Sequence, residues 1–346
     1  MVRGFAATYV FAGHLFLERI LPETNPLRFL FGFGQEAVML FFLISGFVIY
    51  YSTERRADIT FREYALRRFL RIYPIFLIAL VLSVLCARDI HVLGYQLTVR
   101  QVLGNLFMFQ DFKGGKPGVF TDALGGNAPL WSLTYEWWFY MLFFPIYAYV
   151  GARARVHCTA ILSLVGFMSY LAVPNQVSLI LTYFILWWCG AELARAYLSQ
   201  GRVTLRSQRW TVAYVGLFAA CMAGQVIAAW VRRQPLAFGI HPILELRHFV
   251  ACALFLLGAI VWSRLRWRGF ERIFGAFAFV APISYALYVF HHPLAVTANY
   301  LRWLPSPAVQ LACYIGITVA AAYLAEARLQ PIIARWFQKR VLLRSA

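Results

Sequence analysis

Charge is what this sequence has least of. Of 346 residues, 13% are charged and 62% are hydrophobic, whereas a soluble globular chain carries about 25% charged residues. That balance excludes a water-soluble domain and marks an integral membrane protein. Acidic residues are scarcest, with 14 Asp and Glu against 32 Lys and Arg, a formal net charge of +18. None of the six cysteines (Cys86, Cys158, Cys189, Cys221, Cys252, Cys313) belongs to a CxxC pair, so neither a disulfide framework nor a zinc site is inferred. No stretch outside the apolar runs exceeds about 40 residues, which leaves no room for a second soluble domain and gives a single transmembrane domain over 1–346. The first run lacks a small-residue cleavage site and contains His14, Glu18 and Arg19, which argues against a removable signal peptide. The paired broken helices of an inverted-repeat transporter or flippase are missing too.

What is present is a succession of apolar runs, read as spans 5–21, 36–52, 72–87, 130–150, 158–173, 177–198, 211–231, 245–263, 273–295 and 307–325. With the N-terminus inside, segments 1–4, 53–71, 151–157, 199–210, 264–272 and 326–346, together with Arg195, hold 22 of the 32 Lys and Arg and leave 10 outside. The positive-inside rule therefore predicts an all-α integral membrane protein of about ten transmembrane helices, N-in and C-in. It also accounts for the net charge without nucleic acid. Residues 88–129 form a long outward loop carrying Gly114, Gly115, Gly118, Gly125 and Gly126 among Phe107, Phe109, Phe112 and Phe120. Loops of that length are often functional, and this one reads either as a connector or as a lid over an acceptor.

Polar residues inside the runs carry the functional signal, because an ionisable group in a membrane segment is a functional candidate by default. Arg3 and His14 are eleven residues apart, so they share a helix face about 16 Å apart along the axis. Glu136, in "NAPLWSLTYEWWFY", lies about 10 Å in from the opposite surface, a depth close to that of His14. A hydrogen bond between the two is expected to fix the imidazole tautomer. Arg68 and Arg71 share a face at the entry of the third span, with Arg67 turned about 100° away. Together with Arg3 they predict a cationic pocket for phosphates, which arginine grips bidentately. Arg55 and Arg56 are read as topological charges. Ser45 and Gly46 allow a neighbouring helix or an extended ligand to approach the backbone closely. Trp131 and Tyr135 are candidate acceptor contacts near Glu136. His291 and His292, ahead of Pro293, are read as capping or packing residues in preference to a metal site with His14, and Glu192 with Arg195 and Glu326 with Arg328 as structural pairs at helix ends.

Arg3-x10-His14, "FFLISGF" at 41–47, "RRFLRIYP" at 67–74, "LWSLTYEWWFY" at 130–140 and "ISYALYVFHHPL" at 283–294 resemble, in order, the motifs of the membrane-bound acyltransferase-3 family. That family carries several residues ahead of its first arginine, where this chain has two. The resemblance implies an O-acyltransferase of a bacterial-type cytoplasmic membrane. Its donor would be cytoplasmic acyl-coenzyme A, with acetyl the expected group and no metal. Its acceptor would be a carbohydrate hydroxyl of a cell-envelope or exported polysaccharide, the alternatives being a small molecule such as a macrolide or a lipid-linked oligosaccharide. It further implies an essential histidine at His14, a glutamate at Glu136, and donor-binding arginines at Arg3, Arg68 and Arg71. A separate polysaccharide-synthesis or outer-side transferase partner is compatible with a chain that lacks a fused outer domain. His14 would then act as a general base or take the acyl group itself.

Overall fold

The computed structural model describes residues 1–56, 59–87 and 96–337. Fourteen helices follow in chain order: α1 (Val2–Leu15), α2 (Arg28–Phe31), α3 (Gly34–Glu54), α4 (Phe61–Leu85), α5 (Val99–Leu106), α6 (Trp131–Tyr149), α7 (Arg155–Ala172), α8 (Gln176–Gln200), α9 (Arg209–Val231), α10 (Ile243–Arg264), α11 (Phe270–Phe274), α12 (Ser284–His291), α13 (Pro307–Ala322) and α14 (Gln330–Phe337). The strands among the described residues are β1 (Gln110–Asp111) and β2 (Thr121–Asp122), paired in parallel.

Each of the ten expected runs falls on helical chain. Among the described residues seven helices are long and apolar enough to cross a membrane, or eight if the pair Phe270–Phe277 and Ala281–Val296, bent by 50°, is one broken span. The first helix, with Arg3, Glu18 and Arg19, and α6, rich in Tyr and Trp, lie outside that set. The third run starts earlier than its hydropathy indicates. Thr60 and Glu63 form a capping box that opens α4 at Phe61, eleven residues before the expected boundary, so Arg67, Arg68 and Arg71 lie within a helix.

At the centre is α8, with Tyr183, Phe184, Trp187 and Trp188 fully buried. Between membrane helices there is little hydrophobic driving force, so close backbone approach has to supply the packing. A Cβ on Gly46 would sit 2.1 Å from the Trp187 carbonyl oxygen, and one on Gly190 would sit 1.9 Å from that of Leu43. The two glycines are thus the contact at which α3 and α8 pack backbone to backbone. Gly46 faces that helix contact, which corrects its expected place in a donor path.

Candidate active site

Two cavities lie toward opposite ends of α1 and α3. One, of about 430 Å³, is lined by Arg3 at the start of α1, Arg56 just past α3, and Arg67, Arg68 and Arg71 on α4, with Glu326 from the π-helical stretch Tyr323–Leu329 and Gln330 at the start of α14. Pro74 explains how the last helix docks there. It cannot donate to the Leu70 carbonyl four residues back. Gln330 Nε2 fills that place, donating to the carbonyls of Leu70 (3.4 Å) and Arg71 (2.7 Å). Arg71 is committed as well, donating to Glu326 Oε1 at 2.5 Å and Gln330 Oε1 at 2.8 Å. Arg68 instead lies over the rings of Tyr64 and Tyr140. The Nε atoms of Arg67 and Arg68 are buried with no hydrogen-bond partner among the described residues. Arg56 and Arg67, read as topological and as turned away, both line the cavity. On the lining, five guanidiniums face one carboxylate, that of Glu326.

Glu136 belongs to this end and not to His14. Its Oε1 accepts hydrogen bonds from Ser45 Oγ at 3.0 Å and from the Tyr140 hydroxyl, and both donors line the arginine cavity. The expected Glu136–His14 hydrogen bond is absent. The depth comparison counted α6 inward from the outer surface, but the helix enters beside His14. Trp131 and Pro129 are level with His14, in the same cavity, and Glu136 lies about 7 Å farther along the axis.

The second cavity, of about 540 Å³, is lined by His14 of α1 and Leu17 just past it, Gln35 and Val38 of α3, Pro129 and Trp131 at the start of α6, Leu244 and Arg247 of α10, Tyr288, and Asp111, Lys116, Asp122 and Ala123 of the long loop. Residues 96–129 of that loop thus form a built wall of the cavity, while 88–95 lie outside the described residues. Lys116 and Asp111, both buried, pair at 3.0 Å, and the Lys116 ammonium sits 4.0 Å from the centre of the Trp131 ring. Tyr135, expected at the acceptor, is instead fully buried and donates to Asp111 Oδ2 at 2.5 Å. It holds the loop in place and does not line the cavity. Behind it, His248 bonds Tyr183 (2.6 Å) and Gln35 (2.9 Å).

His291, read as a capping residue, is the partner of His14. Its Nε2 lies 2.8 Å from His14 Nδ1, and the rings stack with centroids 5.1 Å apart. Its Nδ1 lies 3.2 Å from the Leu287 carbonyl oxygen. A carbonyl only accepts, so His291 Nδ1 carries the proton and, in a neutral ring, Nε2 accepts. His14 Nδ1–H must then donate, which leaves His14 Nε2 with a free lone pair. This tautomer assignment follows from the hydrogen-bond network.

Local backbone aligns the pair. Both helices pass into a π-helical turn next to the histidine, Phe16–Ile20 after His14 and His292–Val296 after His291, a device frequent at functional sites. Arg19 clamps the two turns by donating to the carbonyls of Val296 and Ala298. Pro293 has no N–H for the Val289 carbonyl. Asn127 Nδ2 takes that place at 3.0 Å and ties the entry of α6 to α12. At the other end of α12, Glu326 Oε2 accepts from the Ala286 N–H at 2.7 Å. A single eight-residue helix therefore runs between the cavities, with Glu326 and Arg71 at its start and His291 at its end. Glu326 pairs with Arg71 in place of Arg328, whereas Glu192 and Arg195 pair at 2.6 Å as expected.

The structure thus brings Arg3, Arg68, Arg71 and Ser45 together, and His14 with Trp131. Sequence reading missed His291, Arg56, Arg67, Gln330 and the Asp111–Lys116 pair. Pro74 and Pro293 were the available signals, since each leaves carbonyls that another segment must satisfy.

The sequence matches a family model described as an acyltransferase domain over residues 1–327. It is also similar to the acyltransferase MdmB of Streptomyces mycarofaciens, with 26% identity over 215 residues, covering 59% of this chain and 45% of that protein. The chain therefore spans less than half the length of this curated relative. No solved structure matches it. With the match running from the arginine of α1 past the glutamate that holds Arg71, the chain belongs to the acyltransferase-3 family.

Proposed function

We propose that this chain is an O-acyltransferase of the bacterial cytoplasmic membrane. It moves an acyl group, with acetyl the expected one, from cytoplasmic acyl-coenzyme A to a hydroxyl of a cell-envelope or exported polysaccharide. Ten spans with both termini inside, as the distribution of Lys and Arg favours, put the arginine cavity at the cytoplasmic surface and the histidine cavity toward the outer one. The observation that carries the reading is the link between a cavity of five guanidiniums and a tautomer-defined histidine pair by one short helix.

Arg3, Arg56, Arg67 and Arg68 receive the phosphates of the donor, and Arg71 holds the wall through Glu326. The pantetheine arm runs past Ser45, Tyr140 and Glu136 toward His14, along the roughly 16 Å that separate Arg3 from His14. A sugar hydroxyl is a poor nucleophile at neutral pH and needs a base within hydrogen-bond reach. His14 Nε2 takes the hydroxyl proton as the oxygen attacks the thioester carbonyl. The C–S bond breaks, and the thiolate recovers the proton from His14. One ester and one thiol form, and the histidine pair returns to its starting tautomers. His291 acts through His14, accepting from Nδ1–H and stabilising the imidazolium while it exists.

The test compares surface polysaccharide from producing and deleted cells by mass spectrometry and NMR. Loss of an O-acyl ester on deletion, restored by the wild-type gene and not by His14→Ala, is the expected result. Identical acylation in both strains overturns the polysaccharide assignment.

A further inference from the structure

A further cavity plays no part in this chemistry. It has a volume of about 730 Å³ and is walled by Phe47 of α3, Leu193 and Tyr197 of α8, Ala259 of α10, and Trp267 and Phe270 beyond it. It shares α3 with the arginine cavity but uses a different face, since Ser45, Val48 and Ile49 point into that cavity and Phe47 does not. The ionisable side chains on its lining are Glu271 and Arg272. An apolar cleft between membrane helices is filled by protein or by lipid tails, and no described side chain fills this one.

Arg272 on its lining belongs to an arginine-rich turn. The turn from α10 to α11 places Arg264, Arg266 and Arg268 ahead of Arg272, with Glu271 the one acid in the segment. None of these arginines makes an ion pair with the described residues. The turn is shaped by left-handed backbone at Arg266 (φ 51), Trp267 (φ 56) and Gly269 (φ 78). Two consecutive non-glycine residues there are strained, and such strain persists where the surroundings fix it, often at ligand clamps. Trp262 does the fixing, as its Nε1 donates to the Arg268 carbonyl at 2.8 Å and its ring packs on Trp267 and Phe270. The same segment was read from sequence as cytoplasmic, and the cytoplasmic leaflet carries anionic lipid that attracts juxtamembrane arginines.

We propose that this cleft is a binding site for one anionic phospholipid, with an acyl chain between Phe47, Tyr197 and Phe270 and the phosphate on the arginines of the turn. The test is native mass spectrometry of the purified full chain given equal amounts of phosphatidylglycerol and phosphatidylcholine with matched tails. Wild type retains phosphatidylglycerol by about tenfold over phosphatidylcholine. That preference disappears in Ala259→Phe, which fills the cleft and keeps every charge, and in the triple variant Arg264→Gln/Arg268→Gln/Arg272→Gln, which keeps the cleft. Leu193→Phe fills the same space from α8 if Ala259→Phe does not fold. Equal retention of the two lipids by wild type overturns the proposal. So does a preference lost only in the arginine variant, which is adsorption of headgroups at a basic surface, or one lost only in the filled variants, which is a tail groove without headgroup recognition.

Discussion

The arginine end and the histidine end of the bundle treat charge in opposite ways. At the arginine end five guanidiniums meet two carboxylates, Glu326 on the lining and Glu136 behind Ser45 and Tyr140, and two buried Nε atoms lack any partner among the described residues. At the histidine end Lys116 is matched with Asp111, Arg247 with Glu36 and His14 with His291, while Asp122 accepts from the Lys113 N–H. Unpaired charge inside a membrane protein is costly unless a ligand supplies the counter-ion, so the first end is arranged to bind an anion. The second is arranged to hold neutral rings in defined tautomers, which suits moving a proton. Binding and chemistry are divided between the two ends, with α12 as the strut between them.

The comparison breaks most completely at His14. His14→Ala is expected to lower acyl transfer by about 10²- to 10⁴-fold while the protein still inserts and the donor still binds, measured on purified protein with matched yield. Next comes Arg71→Ala. It strands Glu326, whose side chain is 1% exposed, and is expected to cost about 3–5 kcal/mol of stability, read as a lowered midpoint of thermal unfolding in detergent. A stable Arg71→Ala with weakened coenzyme A binding returns Arg71 to the donor grip. Arg67→Ala and Arg68→Ala are expected to weaken coenzyme A binding by about 10-fold each, a charge-assisted hydrogen bond lost without a stability change. Unaltered affinity in both moves them back to topology. The smallest effect on function is at Gly46→Ala, where an added methyl pushes α3 off α8 and costs about 1–3 kcal/mol of stability. Donor affinity in the variant that remains folded is expected to equal wild type.

The helical, membrane-type fold was legible because charge is rare and apolar runs recur. The arginine site was legible in part, because arginines on one helix face must point somewhere together. What escaped depended on contacts between distant segments. Arg3-x10-His14 sets an alignment along one helix, but the partner of His14 is 277 positions away, and no spacing rule reaches that far. Glu136 was placed level with His14 because α6 was counted inward from the outer surface, whereas its first residue, Trp131, already lies beside His14 and carries Glu136 on toward the arginines. Gly46 and Ser45 are neighbours with opposite duties, one packed against Trp187 and the other at Glu136, since adjacent helical residues diverge by about 100°.

The central claim is that His291, and not Glu136, sets the state of His14. Steady-state acyl transfer by purified protein in nanodiscs, with coenzyme A binding measured alongside, tests it in His291→Phe and Glu136→Gln. His291→Phe keeps a stacked ring and removes the acceptor for His14 Nδ1–H. The account predicts that its kcat falls by about 100-fold or more with coenzyme A affinity unchanged, while Glu136→Gln mainly raises the KM for the donor. A His291→Phe enzyme that turns over like wild type, or a Glu136→Gln enzyme that loses kcat as far with donor KM unchanged, contradicts it.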